Sequence, residues 1–154
     1  MEPEDIAEAR NLGIAFYDTA MLEDAEREFR RVLNGDPHDT TARHYLALIA
    51  LRQGEVGQAI RGLTGLLESA GPRVGAYLNL AFALRLQHRW DDALKALGQA
   101  ARIAPEDPRV RLARGATHLD AGDTARAIAT LAEYRSLLDP DTLPPAIYFH
   151  AAGL

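Results

Sequence analysis

The sequence of 154 residues contains no cysteine. That excludes disulfides, thiolate metal centres and a cysteine nucleophile. Serine is nearly as scarce: Ser69 and Ser136 are the only two, and neither stands in a nucleophile motif. Lysine occurs once, at Lys95, so arginine carries almost all of the positive charge. No stretch approaches roughly 18 consecutive uncharged apolar residues, so no membrane-spanning helix is expected. There is no glycine-rich phosphate loop, no strand-like alternation and no low-complexity segment. The five histidines are His38, His44, His88, His118 and His150. None is three or four residues from another, so no helical metal site is expected and they read as surface or groove residues. Asp91 and Asp92 stand at a helix start, where acids stabilise the dipole, so they read as structural. No catalytic residue, metal ligand or cofactor is expected, and the chain does not read as an enzyme. A net charge of −5 and a pI near 5.5 argue against a nucleic-acid or anionic-membrane surface. The acidic start Met-Glu-Pro-Glu-Asp lacks the basic and apolar regions of a signal peptide. If residue 1 is the native start, the expected location is the cytoplasm.

What the chain does have is a period. Ala25, Ala59, Ala93 and Ala127 are each 34 residues apart. Gly13, Ala47, Ala81 and Gly115 form a second column of small residues at the same step. Phe29, Leu63, Leu97 and Leu131 form a third, large and apolar. With 47% hydrophobic and 25% charged residues, the composition is that of a folded protein. Its wealth of alanine and leucine beside one lysine is associated with GC-rich bacterial genes. Self-similarity at a fixed step implies stacked copies of one unit, none able to bury its apolar face alone.

Local signals divide each unit into two helices. Pro3 with Glu4 and Asp5 starts the first, which runs to about Thr19. Leu22, Ala25, Phe29, Val32 and Leu33 give the second one apolar face, and Gly35-Asp36-Pro37 stops it. Asp39-Thr40-Thr41 caps a third helix over 41–53. Further helices are expected at 56–69, 74–87, 90–103, 108–121 and 124–138, with turns at Gly54 and Gly122 and breaks at Gly71-Pro72 and Pro105. The small columns mark where paired helices cross closely, with Gly13 and Ala25 as candidates for the first crossing.

This pattern resembles the tetratricopeptide repeat (TPR). The first unit shows Leu12-Gly13, Phe16, Ala25, Phe29 and Pro37. The third shows Tyr77, Leu80-Ala81, Ala93, Leu97 and Pro105. The register runs unbroken from Ile6 to Asp141, giving repeats 6–39, 40–73, 74–107 and 108–141. Departures are Arg111 and Arg114, where large apolar residues are usual, and Gly62 and Gly65 inside a helix. The resemblance implies an all-α, right-handed α-solenoid of stacked antiparallel helix pairs, forming a single TPR domain over 1–154. It also implies a concave face, lined by the first helix of each pair, that holds a peptide or helix of a partner protein.

On that alignment the groove residues are Arg10, Asn11, Ile14 and Tyr17 in the first unit, and His44, Tyr45, Leu48 and Arg52 in the second. The third offers Leu78, Asn79, Phe82, Arg85 and Leu86. The fourth offers Arg109, Leu112, Ala116 and Leu119. Ile14, Leu48, Phe82 and Ala116 keep the 34-residue step and form an apolar line. Flanking arginines and asparagines suit an amphipathic helix or an apolar-acidic peptide. The competing reading is that some of these residues touch the adjacent repeat and are core. The carboxylate clamp of co-chaperone relatives is not reproduced: its places hold Arg10, Ile14, Tyr45, Gly75 and Asn79 in one frame, and His44, Leu48, Asn79, Arg109 and Ala113 in the other.

Residues 142–154 carry no charge and resemble the first helix of a fifth unit, with Tyr148 and Phe149 near core positions. Either the chain is part of a longer repeat protein, or a second molecule covers this helix and makes a homodimer. A third reading packs the helix wholly on the fourth unit. The function expected is a protein–protein interaction scaffold. The alternatives are a regulatory or targeting region of a larger enzyme, and a secretion-type chaperone.

Overall fold

Proline and glycine set the boundaries of the elements. The computed structural model describes residues 1–137, with side chains through Glu133. Among the described residues there are eight α-helices and no strand. They are α1 (Pro3–Asp18), α2 (Leu22–Gly35), α3 (Thr40–Arg52), α4 (Val56–Ala70), α5 (Val74–Leu86), α6 (Trp90–Ile103), α7 (Pro108–Asp120) and α8 (Thr124–Leu137). Each lies within two residues of its sequence expectation. Pro3 and Pro108 occupy first turns, where a missing N–H costs nothing. Asp39 caps α3 by accepting from Ala42 N at 2.7 Å, and Asp107 caps α7 by accepting from Arg109 N at 2.9 Å.

Inside each pair the chain reverses through one repeated turn. Ala20, Gly54, His88 and Gly122 stand 34 residues apart, and all four have positive φ, at 61°, 81°, 59° and 79°. The following amide reaches back to the helix in every case: Met21 N to Phe16 O, Glu55 N to Ala50 O, Arg89 N to Leu84 O and Asp123 N to His118 O, at 2.8 to 2.9 Å. This is a left-handed C-cap that satisfies carbonyls at the helix end.

The helices fall into two units, Met1–Ala70 with α1–α4, and a second from Gly71 onward with α5–α8. In the first, α1 packs on α2, α3 on α4, and α3 also meets α1 and α2. Its core is built from Ala9, Tyr17, Ala25, Phe29, Val32, Ala42 and Ile49, with Ile6, Phe16, Leu22 and Leu46 against it. In the second, α5 packs on α6, α7 on α8, and α7 also meets α5 and α6. Its buried residues include Ala81, Leu84, Ala93, Leu97, Ala100 and Val110.

All four alanines of the first column are fully buried. Gly13 meets the ring of Phe29, and a Cβ built on it would come within 2.9 Å of that ring. Gly115 meets Leu131 in the same way, at 2.7 Å. The small column of the first helix therefore receives the large column of the second, which lets paired backbones approach closely.

Candidate functional site

Ile14 on α1 and Leu48 on α3 are half-buried, one repeat apart on first helices of the first unit. One turn before Ile14, Arg10 is engaged by Asp39: its Nε donates to Oδ2 at 3.0 Å, and its Nη2 pairs with the same oxygen. Asp39 thereby caps α3 with one oxygen and holds α1 with the other. Asn11 is exposed, and His44 is half-buried. Tyr45 stacks on Phe29, with centroids 4.9 Å apart and planes at 16°, and meets Tyr17 edge-on at 5.1 Å. Arg52 lies 4.0 Å over the Tyr17 ring and donates from Nη1 to the Tyr17 carbonyl at 2.9 Å. Tyr17 is buried, at 8% exposure. Burial pushes its phenol above the ordinary value, and the nearby Arg52 charge offsets this only in part. Burial raises Tyr45 as well, with a contribution from Asp18. Both phenols hold their protons at neutral pH and act as packing groups.

In the second unit, Leu78 is buried, while Asn79, Phe82, Arg85, Arg109, Leu112 and Ala116 are half-buried. Leu86 and Leu119 are exposed. Arg85 reaches from α5 to Asp120 at the end of α7, with Nε at 2.8 Å and Nη2 at 2.6 Å from Oδ2. Arg109 folds back on Asp107 at 2.6 Å. Burial pushes the Asp107 carboxyl up, but hydrogen bonds and charge from Arg109 outweigh it, so Asp107 lies below the usual carboxylate range. Each unit thus presents half-buried apolar side chains on its first helices, bordered by arginines held by carboxylates.

Reading the sequence alone missed two features. His118 is buried on α7, not on a surface. It stands in the column of Phe16, Ala50 and Leu84, and that step was the available signal. The pairing of Arg10 with Asp39 joins residues far apart in sequence, which no local pattern announces. Among the described residues no cluster of His, Asp or Glu is arranged to hold a metal ion, and no helix is long and apolar enough to cross a membrane. The terminal helix expected over 142–154, with the homodimer it would build, lies outside the described residues.

Helical hairpins repeated at a 34-residue step define a repeat protein of the α-solenoid class. The comparisons with known proteins agree. Two tetratricopeptide repeat family models match the chain, one over residues 10–70 and one over 84–142. The chain belongs to the tetratricopeptide repeat family, whose members act as protein–protein interaction scaffolds. Among solved structures it is similar to TTC0263, a thermophilic TPR protein of Thermus thermophilus, at 26% identity and a TM-score of 0.77, covering 96% of this chain and 80% of that one. It is also similar to MamA from Desulfovibrio magneticus RS-1, at 19% identity and a TM-score of 0.78, covering 88% and 76%. The second likeness concerns fold alone. A search of curated protein sequences returned no match.

Proposed function

We propose that the chain is a non-enzymatic scaffold whose first helices hold a peptide or amphipathic helix of a partner protein. The reading rests on one observation above the others: Ile14, Leu48 and Phe82 are half-buried, so each keeps apolar surface available on a first helix. Partly exposed apolar side chains mark contact surfaces on folded proteins. Arg10, Arg85 and Arg109 already hold carboxylates, so the apolar residues supply the anchor and the arginines border it. A preformed surface lowers the ordering cost of binding. Micromolar affinity, about −8 kcal/mol, is expected for one short peptide.

Titrating a fluorescent apolar-acidic peptide into wild type, Leu48→Asp and Phe82→Asp tests the reading. Affinity should fall at least about tenfold in either variant, because a charge replaces the anchor. Equal affinity in all three proteins overturns it.

A further inference from the structure

In the first unit, α2, α3 and α4 enclose a trough of about 510 Å³, within the range of sites that hold small ligands and peptide side chains. It shares no residue with the proposed groove and stands independently of it. The floor is apolar, made by Leu33, Leu46 and the buried Ile49. The rim carries three carboxamides, Asn34 on α2, Gln53 after α3, and Gln58 on α4. None of the three side chains makes a hydrogen bond among the described residues. The trough's two charges, Glu26 and Arg30, neutralise each other at 2.6 Å.

The chemistry selects the occupant. A carboxamide offers one acceptor and two donors and no charge. An extended peptide needs an acceptor and a donor matched at each residue, and leaving either unmatched on burial is costly. A trough with no net charge does not compensate the desolvation of an ion. The repeat itself shows that the carboxamides are particular to this place. At the 34-residue step, Asn34, Gln53 and Gln58 are followed by Glu68, Gln87 and Asp92, and then by Arg102, Ala121 and Arg126. The three carboxamides occur together only in the first of these sets.

We infer that this trough is a second recognition site, which takes an uncharged, extended peptide segment of a partner. Asn34, Gln53 and Gln58 bond its backbone, and Leu33, Leu46 and Ile49 receive one apolar side chain.

The test uses nitrogen-15 spectra of the full chain, in which carboxamide NH₂ groups are visible alongside backbone amides. The probe is acetyl-Gly-Thr-Ile-Thr-Gly-amide, and the control carries aspartate in place of both threonines. The neutral peptide should shift the NH₂ signals of Asn34, Gln53 and Gln58 and the amides of Leu46 and Ile49, saturating at millimolar concentration. The acidic control should bind at least about fivefold more weakly. A Gln53→Ala, Gln58→Ala double variant should keep its melting temperature, since both residues are exposed, and lose the response. No response, equal response to both peptides, unchanged binding by the double variant, or shifts confined to residues around Ile14 would each overturn the inference. The groove reading stays standing in all of these cases, because its own variants report on different residues.

Discussion

The Arg52 guanidinium lies 4.0 Å above the centre of the Tyr17 ring while its Nη1 donates to the carbonyl of that same residue at 2.9 Å. Tyr17 is near the end of α1 and Arg52 is the last residue of α3. One side chain thus covers an aromatic face and satisfies a carbonyl at a helix C-terminus, where a cation also complements the dipole. Lysine keeps the charge but loses the planar fork that makes both contacts at once. Arg52→Lys should therefore destabilise the chain by about 1 kcal/mol and Arg52→Ala by about 2 kcal/mol. Urea unfolding of both variants measures this, and a double-mutant cycle with Tyr17→Leu isolates the shared part. If Arg52→Lys unfolds at the wild-type midpoint, the planar contact contributes nothing.

The same cluster makes stability sensitive to alkali. Burial raises the Tyr17 phenol above 10.0, with the Arg52 charge pulling against it, and burial raises Tyr45 too. In this window the unfolded chain has released protons that the folded chain still holds. Stability present below pH about 10 is therefore lost as pH rises through the raised values. Tyr17→Phe and Tyr45→Phe remove this dependence. Melting temperatures between pH about 8 and about 11 should fall less steeply in either variant than in wild type. Parallel curves would show that the phenols do not carry the effect.

The fold was legible because it is periodic. Helix ends were written by Pro3, Asp39, Pro37 and Pro105, and the hairpin turns by Gly54 and Gly122. The turn at Ala20-Met21 is legible from the break between two helical patterns, whereas His88 carries no such sign and only the 34-residue step relates it to the glycines. The site was legible in part. Position on a first helix follows from the period, but engagement by another side chain does not. Tyr17 and Arg52 are both expected in the groove, yet they close on each other. Arg10 and Asp39 are 29 residues apart, and their pairing depends on how α1 and α3 meet. Side-chain partners across helices arise from tertiary geometry, which local spacing does not encode.

Two glycines in helix interiors should respond in opposite ways to alanine. Gly98 is exposed on α6, and a Cβ there meets nothing within 4 Å. Gly98→Ala should stabilise by about 1 kcal/mol through helix propensity alone. Gly13 gains the same propensity, but its Cβ would stand 2.9 Å from the Phe29 ring. That ring is fully buried and stacked on Tyr45, so it has nowhere to move. Gly13→Ala should lose about 1–2 kcal/mol net. Thermal unfolding of the two variants compares them directly, and a stabilised Gly13→Ala would contradict the close crossing of α1 and α2.

The repeated hairpin turn supplies a second matched pair. Ala20 and Gly122 occupy equivalent positions with φ of 61° and 79°. A Cβ in this region costs roughly 1–2 kcal/mol, offset partly by the larger entropy of glycine in the unfolded chain. Ala20→Gly should raise stability by about 0.5–1 kcal/mol, and Gly122→Ala should lower it by about 1 kcal/mol. His88 shares the strain but also meets Trp90 edge-on at 5.0 Å, so His88→Gly should gain less than Ala20→Gly. Melting temperatures in the order Ala20→Gly, His88→Gly, wild type and Gly122→Ala are expected. A rise in Gly122→Ala would mean that the turn changes its conformation on substitution.

Arg111 stands where the repeat pattern places a large apolar residue, 34 positions after Tyr77. Its Nη1 reaches from α7 to Glu133 Oε2 on α8 at 2.7 Å, but its Nε is buried without a hydrogen-bond partner among the described residues. A buried donor left unpaired costs about 1–3 kcal/mol. The Glu133 side chain is 62% exposed, so screening holds the ion pair to about 0–1 kcal/mol. The donor's cost exceeds the pair's gain, and an unbranched apolar side chain of similar length keeps the packing of the stem. Arg111→Met should therefore stabilise the chain by about 1 kcal/mol, whereas Glu133→Gln should change stability by less than about 0.5 kcal/mol. Urea midpoints at unchanged slope distinguish the cases, since a changed slope would report a different exposed surface rather than a different balance of interactions. A lower midpoint for Arg111→Met would show that the contact between α7 and α8 depends on this ion pair more than on the apolar packing around it.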